Sequence, residues 1–394
     1  MRCLLSICAF WCAVSSIAIA ADLPLVERFL HAGEFDQGEQ HLAKRLVDAP
    51  EDDQARFGLG VLQFLRGVER LGQGLHNYGV KGHGQGEMFL RMPVPEQTQP
   101  APIGYRDFRR LLDDFRRDLD LAETTLTAIK DDQVKLPLRL AGIHFDLDHD
   151  GKATDRLLDM LQFYNRGRSF VALEQNPDFL VAFDRGDVPW LRAYCHILMA
   201  CLDLVLGVDN EALFNLRAQD LFANPRQKVN DDDRRLAWAT AAESTRIREP
   251  LRWARAREHF IKAAALNKEV WEFIRKETDN DSEWLPNSKQ SSVLGLRVND
   301  RMIDAWLVLW DELDSLFSGK KVMPYMLSTH VGNDKERVGV NFQRLLDDPP
   351  EKGVEFTKLD ERYFTNDPEV DLGKLFQWYI AFGNSPIPMA LWFN

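Results

Sequence analysis

Apolar side chains recur every three or four residues over most of this chain, which is the spacing that lines one face of an α-helix. The clearest case runs from Tyr105 to Ile129, where arginines and aspartates alternate on the opposite face. The same spacing predicts further helices at about residues 155–165, 188–207, 232–246, 250–277 and 300–317. We therefore expect a mainly α, multi-helical protein.

The predicted helix at about 188–207 differs from the others because it is apolar nearly all round. A helix of that kind is typically buried, so we expect it at the centre of the fold, with Asp187 as its N-cap and Pro189 in its first turn. His196 lies on this helix, and we interpret it as a hydrogen-bonded core histidine.

Two parts of the chain depart from helical spacing. Alternating apolar residues between Val134 and Leu140 predict a short strand or an extended arm, while a short helix that starts at Pro137 is the competing interpretation. The final part of the chain is broken by several prolines, so we expect it to be less regular, with short strands possible.

Breaks in the pattern divide the chain into five segments. Residues 1–20 are a predicted signal peptide, residues 21–78 a repeat-like helical segment, and residues 79–104 a loop or linker rich in glycine and proline. Residues 105–245 are predicted to form a helical core, and residues 246–394 a helical C-terminal part that ends irregularly or in strands.

The N-terminal segment has the features of a secretory signal. Arg2 supplies a positive charge, an apolar stretch follows, and Ala18-Ile19-Ala20 matches the small-x-small cleavage pattern. We expect cleavage after Ala20 and a periplasmic or secreted protein. We expect no later window to be apolar enough to cross a bilayer, and therefore no membrane span after cleavage.

Composition narrows the class of partner. Lys and Arg number 49 against 61 Asp and Glu, giving a formal net charge of −12. This acidic balance argues against nucleic acid as a partner. After signal cleavage only Cys195 and Cys201 remain, and their spacing on one predicted helix points them to different faces, so they cannot readily form a disulfide.

The segment FDLDHDGKATDRLLD, residues 145–159, carries the clearest chemical motif. An EF-hand loop ligates calcium through oxygens at positions one, three, five, seven, nine and twelve, with glycine at position six for the turn. Positions one, three, five, six, seven and nine are filled here by Asp146, Asp148, Asp150, Gly151, the Lys152 carbonyl and the Thr154 hydroxyl. Such hard oxygen ligands favour calcium over zinc or copper.

The end of this EF-hand-type loop, residues 146–157, lacks its usual ligand. Position twelve is Leu157, and Asp155 and Asp159 lie two residues to either side, so neither substitutes simply. The site is then either weak or completed from elsewhere in the fold, and Asp184 and Asp187 are the donors we expect. A solvated aspartate turn without an ion is the competing interpretation. Where an ion does bind, we expect a structural role.

A second acidic segment, ETDNDSEWLPN at residues 277–287, alternates Asp279, Asp281 and Glu283. It has no glycine at the turn position, and we interpret it as a helix end followed by a solvated turn. The sequence contains neither a nucleophile-elbow nor a zinc-protease motif.

The segment FLHAGEFDQGEQHLAKRLVDAPEDDQARFGLGVLQFL resembles the tetratricopeptide repeat, a two-helix unit. The matching residues are Gly33, Phe35, Gly38, Leu42, Pro50, Leu59 and Gly60. Arg45 departs from the pattern, and there is no third unit, so the segment is too short for the concave groove of a repeat array. An ordinary helical hairpin is the competing interpretation.

Taken whole, the mature chain resembles a group of exported bacterial proteins. The resemblance covers most of the chain and rests on the repeat-like start and on the strings DLDHDGKAT, FDRGDVPWLRAYCHILM, ETDNDSEWLPNSKQSSVLG and ALWFN. It implies export and a helical architecture, and it implies no activity.

Two functional hypotheses follow. The leading one is a non-enzymatic, exported helical scaffold with a structural calcium ion, which presents its helical surface to a protein partner. The alternative is a hydrolase that acts on an envelope polymer through carboxylates of the acidic loops. An enzyme should gather Asp279, Asp281 or Glu283 with a tryptophan in a deep cleft, whereas a scaffold should expose a broad, shallow apolar surface.

Overall fold

The computed structural model describes residues 23–81, 90–164, 171–293, 295, 297–324, 339–383 and 386–394. Helices dominate these residues, which confirms the predicted mainly helical class. The helices are α1 (Glu27–Ala32), α2 (Phe35–Asp48), α3 (Asp53–Asn77), α4 (Tyr105–Thr127), α5 (Leu157–Tyr164), α6 (Val171–Gln175), α7 (Asp187–Leu206), α8 (Glu211–Leu221), α9 (Asp231–Ser244), α10 (Pro250–Ile274), α11 (Asp300–Phe317), α12 (Phe342–Asp347), α13 (Leu372–Ala381) and α14 (Pro386–Phe393).

Short antiparallel strands connect these helices. They are β1 (Leu136–Leu138), β2 (His144–Phe145), β3 (Asp155–Arg156), β4 (Val181–Phe183), β5 (Val208–Asp209), β6 (Arg246–Ile247), β7 (Met323–Pro324), β8 (Gly339–Val340) and β9 (Phe364–Thr365). The pairs are β1–β4, β2–β3 and β5–β6, and β7, β8 and β9 form a three-stranded sheet.

Helices α2 and α3 form a helical hairpin at the start of the described chain. Asp52 caps α3 by accepting a hydrogen bond from the amide of Ala55 at 3.0 Å. A Cβ at Gly38 would come within 2.5 Å of Leu62, so glycine permits the close approach of the two helices. Helix α3 continues unbroken to Asn77 and packs along α4.

Helix α7 packs along α10 and against α4, and residues such as Val188, Met199 and Leu202 are fully buried. The prediction of a central, buried helix is confirmed. Its N-cap is Gly186, and Asp187 is the first helical residue, so the predicted cap was one residue too late.

The expectation that no later window is apolar enough to cross a bilayer was wrong, whereas the absence of a membrane span after cleavage stays a prediction. Helix α7 is long and apolar enough to cross a membrane by length and composition, although 56% of that window is buried inside the protein. The same helix holds Cys195 and Cys201, and both are free thiols, in agreement with the predicted absence of a disulfide between them.

Strand β1 decides between the two interpretations of residues 134–140. Leu136 pairs with Phe183 and Leu138 with Val181 of β4, so the segment is a strand rather than a helix that starts at Pro137. In the next pair, Phe145 of β2 faces Asp155 of β3 and closes the base of the EF-hand-type loop. The predicted helix at 155–165 therefore begins at Leu157.

The described parts of the predicted loop at residues 79–104 lie against the rest of the protein. Leu90, Met92 and Ile103 are each at most 4% exposed. Val80 forms a bridge with Phe222, just beyond the end of α8. Residues 82–89 lie outside the described residues.

The C-terminal part contains the short strands expected there, but it also contains α12, α13 and α14, which were not predicted. Pro386 is the first residue of α14, a position where proline costs no helical hydrogen bond. Helix α14 returns to the core: Phe393 is fully buried, and the indole nitrogen of Trp190 donates to the carbonyl of Trp392 at 2.9 Å.

Candidate metal site and a second carboxyl cluster

The EF-hand-type loop gathers its first three predicted ligands. One carboxylate oxygen from each of Asp146, Asp148 and Asp150 lies within 4.8 Å of the other two. The backbone turns through positive φ at His149 (59°) and Gly151 (85°). A Cβ at Gly151 would meet nothing within 4 Å, so the positive φ, rather than crowding, explains the glycine there.

Backbone amides hold these carboxylates in place. Asp146 accepts from the amides of Asp150 and Gly151, each at 3.0 Å, and Asp150 accepts from the amide of Lys152 at 2.8 Å. The ammonium group of Lys152 lies 3.5 Å from Asp150 on the exposed side, and Thr154 is exposed just before β3. The loop is therefore ordered by its own peptide groups, with its carboxylates on one side.

Helix α3 anchors this loop through two side chains that sequence reasoning missed. Glu69 accepts a hydrogen bond from the amide of Asp146 at 2.8 Å, and the amide group of Gln73 donates to the carbonyl of Asp146 at 2.8 Å. Burial, with the charges of Asp146 and Asp36, raises the pKa of Glu69 to about 7. The available signal was an acidic residue at core spacing, in register with Leu62 and Leu65 on the same helix face.

Asp155, at position ten of the loop, does not belong to the group of three converging carboxylates. Its carboxylate accepts from the amide of Leu147 at 3.0 Å. Burial and the nearby charges of Asp148 and Asp146 raise the pKa of Asp155.

The structure does not bring Asp184 or Asp187 to the EF-hand-type loop, which corrects that expectation. Asp184 instead lies with Glu277 and Glu283, where one oxygen from each carboxyl group lies within 4.8 Å of the other two. The physical reason is that the β1–β4 pairing, and a hydrogen bond from the amide of Ala182 to the carbonyl of Ser282, bring the start of α7 to the segment after α10.

Asp187 completes this carboxyl cluster, which we define as Asp184, Asp187, Glu277 and Glu283. Asp187 is 5% exposed, and its carboxylate accepts from the amide of Asp184 at 3.0 Å. Burial raises the pKa of all four groups. Repulsion within the cluster raises the pKa of Asp187, Glu277 and Glu283 further, and the charge of Asp279 does the same for Asp184. The pKa of Glu277 reaches about 8. Protonated carboxyls are therefore expected in this cluster at neutral pH.

Only part of the segment 277–287 is the solvated turn that was predicted. Asp279 and Asp281 are exposed and contact the ammonium group of Lys135 at 2.9 and 3.3 Å. Glu283 and Trp284 are only 4% and 6% exposed. The ring of Trp284 packs against several aromatic rings of the core, which are those of Phe183, Trp190 and Trp392.

Two surface hollows, of about 390 and 460 Å³, lie away from both acidic groups. The first is lined by residues before α1, on α2 and at the start of α3, and the second lies between α3 and α4. Neither contains a residue of the carboxyl cluster, so neither provides the cleft with acidic residues and a tryptophan that an enzyme would need.

Comparisons with known proteins find no matching family model, no matching curated protein and no matching solved structure. The resemblance to exported bacterial proteins and to the tetratricopeptide repeat therefore stays a prediction.

Proposed function

We propose that this protein is an exported, non-enzymatic helical scaffold with a structural calcium ion in its EF-hand-type loop. The observation that carries the proposal is the convergence of Asp146, Asp148 and Asp150. Like charges at that separation repel each other, and a divalent cation between them would remove the repulsion. Oxygen donors alone suit calcium, which takes six to eight of them.

The Lys152 carbonyl, the Thr154 hydroxyl and water would supply the remaining oxygens. With no ligand at Leu157, we expect affinity in the weak range of extracellular sites, roughly 10⁻⁴ to 10⁻³ M. The role is structural because the loop joins parts of the chain that are distant in sequence. Glu69 and Gln73 tie it to α3, while β2 and β3 close its base.

The surface supports a scaffold that binds a protein partner. One side of α13 exposes four large apolar residues, Leu372, Phe376, Tyr379 and Ile380, at spacings that place them on one face. Exposed apolar patches of this kind typically mark protein interaction sites. We call this set the α13 stripe.

One observation favours the alternative, a hydrolase of an envelope polymer. A glutamic acid with the pKa of Glu277 could act as a general acid at neutral pH. The alternative predicts that the mature protein releases soluble fragments from isolated envelope polymer, and that Glu277→Gln abolishes the release. Without any release by the wild-type protein, the alternative fails.

Thermal unfolding of the mature protein tests the calcium proposal. At roughly 10 mM calcium, the expected affinity stabilises the folded state by about 1.4 to 2.7 kcal/mol relative to chelator. Asp146→Ala and Asp148→Asn should lose this gain. Asp159→Asn removes the same charge from α5, outside the group of three, and should keep the stabilisation by calcium. Coincident wild-type curves with calcium and with chelator would overturn the proposal.

A further inference from the structure

Four polar side chains form a line through the buried contact between α4, α7 and α10. Glu123 Oε1 lies 3.3 Å from Nε2 of His196, whose Nδ1 lies 2.8 Å from Nδ1 of His259. Nε2 of His259 faces Oδ2 of Asp203 at 3.8 Å. His196 is 2% exposed, so the prediction of a hydrogen-bonded core histidine is confirmed. We call Glu123, His196, His259 and Asp203 the buried polar chain.

The contacts determine where the hydrogens lie. Hydrogen bonds from His196 and Thr127, with the positive charges of protonated His196 and of Arg192, overcome burial and lower the pKa of Glu123 to about 2, so its carboxylate only accepts. Nε2 of His196 must therefore carry a hydrogen. If the ring is neutral, its Nδ1 is an acceptor, and the 2.8 Å contact requires Nδ1 of His259 to donate.

This assignment leaves Nε2 of a neutral His259 without a hydrogen. The carboxylate oxygen that this nitrogen faces also lacks a hydrogen-bond partner in the described part of the chain. Asp203 is fully buried, and its Oδ1 accepts from Arg116 at 2.8 Å and from Arg252 at 3.1 Å. Its Oδ2 has no hydrogen-bond partner among the described residues. A buried acceptor without a donor is costly, so the buried polar chain lacks one hydrogen at this position.

We infer that the buried polar chain is a single-proton switch, in which the first proton taken up by the two histidines places a hydrogen on Nε2 of His259, closes the gap to Asp203 and draws α10 onto α7. A hydrogen bond between charged partners would shorten the present 3.8 Å separation to about 2.8 Å. Every hydrogen-bonding atom from Glu123 to Asp203 would then have a partner. A second proton would remove the acceptor that holds the two histidines together.

The surrounding charges hold back a second proton until acid pH. Burial, then the positive charges of His196, Arg116 and Lys262, lower the pKa of His259 to about 4, while Asp203 opposes them. This pKa therefore describes the second proton of the pair, which enters after His196 is charged. Several other charged groups on the packed helices form ion pairs, which are Arg192–Glu123, Arg252–Asp113, Arg255–Asp203, Arg257–Asp347 and Lys268–Asp311. Because this pKa lies below the usual 6.5, the unfolded chain binds the proton first. The free energy of unfolding therefore falls between about pH 6.5 and 4, then levels off.

Nitrogen NMR of the histidine-labelled, full-length mature protein tests the switch. The chain has nine histidines, and spectra of His196→Gln and His259→Gln assign the two signals. At pH 7 we expect the Nε2–H form of His196 and the Nδ1–H form of His259. On acidification the first proton taken up by the pair should give His259 a slowly exchanging Nε2 hydrogen, and a second proton should follow with a midpoint near 4. Other tautomers at pH 7, or uptake of the first proton without a hydrogen on Nε2 of His259, would overturn the inference.

Two variants test the role of Asp203. Asp203→Asn should weaken proton binding at His259 at least about tenfold, because a facing negative charge is lost. Arg255→Gln, which removes a longer, 3.5 Å contact with the same carboxylate, should strengthen proton binding. Unchanged titration in a folded Asp203→Asn protein would contradict the inference. If that variant does not fold, the wild-type tautomers still decide the question.

Discussion

Glu69 on α3 accepts a hydrogen bond from the backbone amide of Asp146, the first residue of the EF-hand-type loop, at 2.8 Å. Glu69 is 8% exposed, and burial is the main reason that its pKa is raised. The contact orients the peptide group at the start of the loop. It therefore couples the position of Asp146 to α3.

From this contact we expect Glu69→Ala to destabilise the protein by about 1 to 3 kcal/mol, because the amide of Asp146 loses a buried partner. The gain in stability on adding calcium should also shrink, since the loop is no longer held. Glu69→Gln keeps an acceptor oxygen and should retain most of the stability and most of the stabilisation by calcium. The measurement is denaturant unfolding with calcium and with chelator. Equal calcium effects in all three proteins would show that the anchor does not matter for binding.

Because the carboxyl cluster must lose protons as the pH rises, we expect the stability of the protein to fall with rising pH. The pKa of Glu277 is raised from 4.5 to about 8 by burial and by the charges of Asp184 and Glu283. A group with a raised folded-state pKa contributes stability that is fully present below about pH 4.5 and is lost as the pH rises through about 8. Glu277→Gln should match the wild type at pH 5 and exceed it at pH 9, by about 1 to 2 kcal/mol after allowance for partial exposure.

Asp279 provides a control of opposite sign for this prediction. The contact with Lys135 lowers the pKa of Asp279. Its contribution to stability is therefore present above the usual pKa of 3.8 and is lost as the pH falls. Asp279→Asn should slightly destabilise the protein at neutral pH and have less effect in acid. Parallel pH profiles for wild type and Glu277→Gln would contradict the cluster assignment.

The parts of the fold that were predictable have both a periodic pattern and a terminal signal. Helix α11 begins at Asp300 and ends at Phe317 as expected, because Asn299 caps it through the amide of Met302 and Gly319 follows it. Helix α13 has a terminal signal, since Asp371 caps it through the amide of Lys374, but Leu372–Ala381 is apolar on nearly every side and lacks a clear periodic pattern. Helix α14 begins at a proline, in a part of the chain where prolines predict irregular structure.

The candidate sites were predictable only where ligands are close in sequence. Asp146, Asp148 and Asp150 converge because one short loop carries all of them. Glu69 reaches that loop from α3, and Asp184 meets Glu277 through strand pairing, so both contacts depend on tertiary packing. The motif spacing could not reveal that Asp184 belongs to another cluster.

Because the residues of the α13 stripe are exposed, we expect their replacement by polar residues to leave the stability of the protein unchanged. Phe376 is 62% and Ile380 71% exposed, whereas Leu375 on the same helix is 8% exposed and packs with Leu316 and Val370. The double variant Phe376→Gln, Ile380→Gln should change the free energy of unfolding by no more than about 0.5 kcal/mol. Leu375→Ala should cost about 2 kcal/mol, because it leaves a cavity.

Binding of a hydrophobic dye and retention on a hydrophobic column measure the exposed surface itself. Both should fall in the double variant, because the stripe provides a contiguous apolar surface on a helix with Lys374 as its one charged residue. Leu375→Ala should leave both readings near wild type while the protein stays folded. If the double variant instead unfolds as readily as Leu375→Ala, then Phe376 and Ile380 contribute to the core. The stripe would then be part of the packing of the protein and not a surface open to a partner.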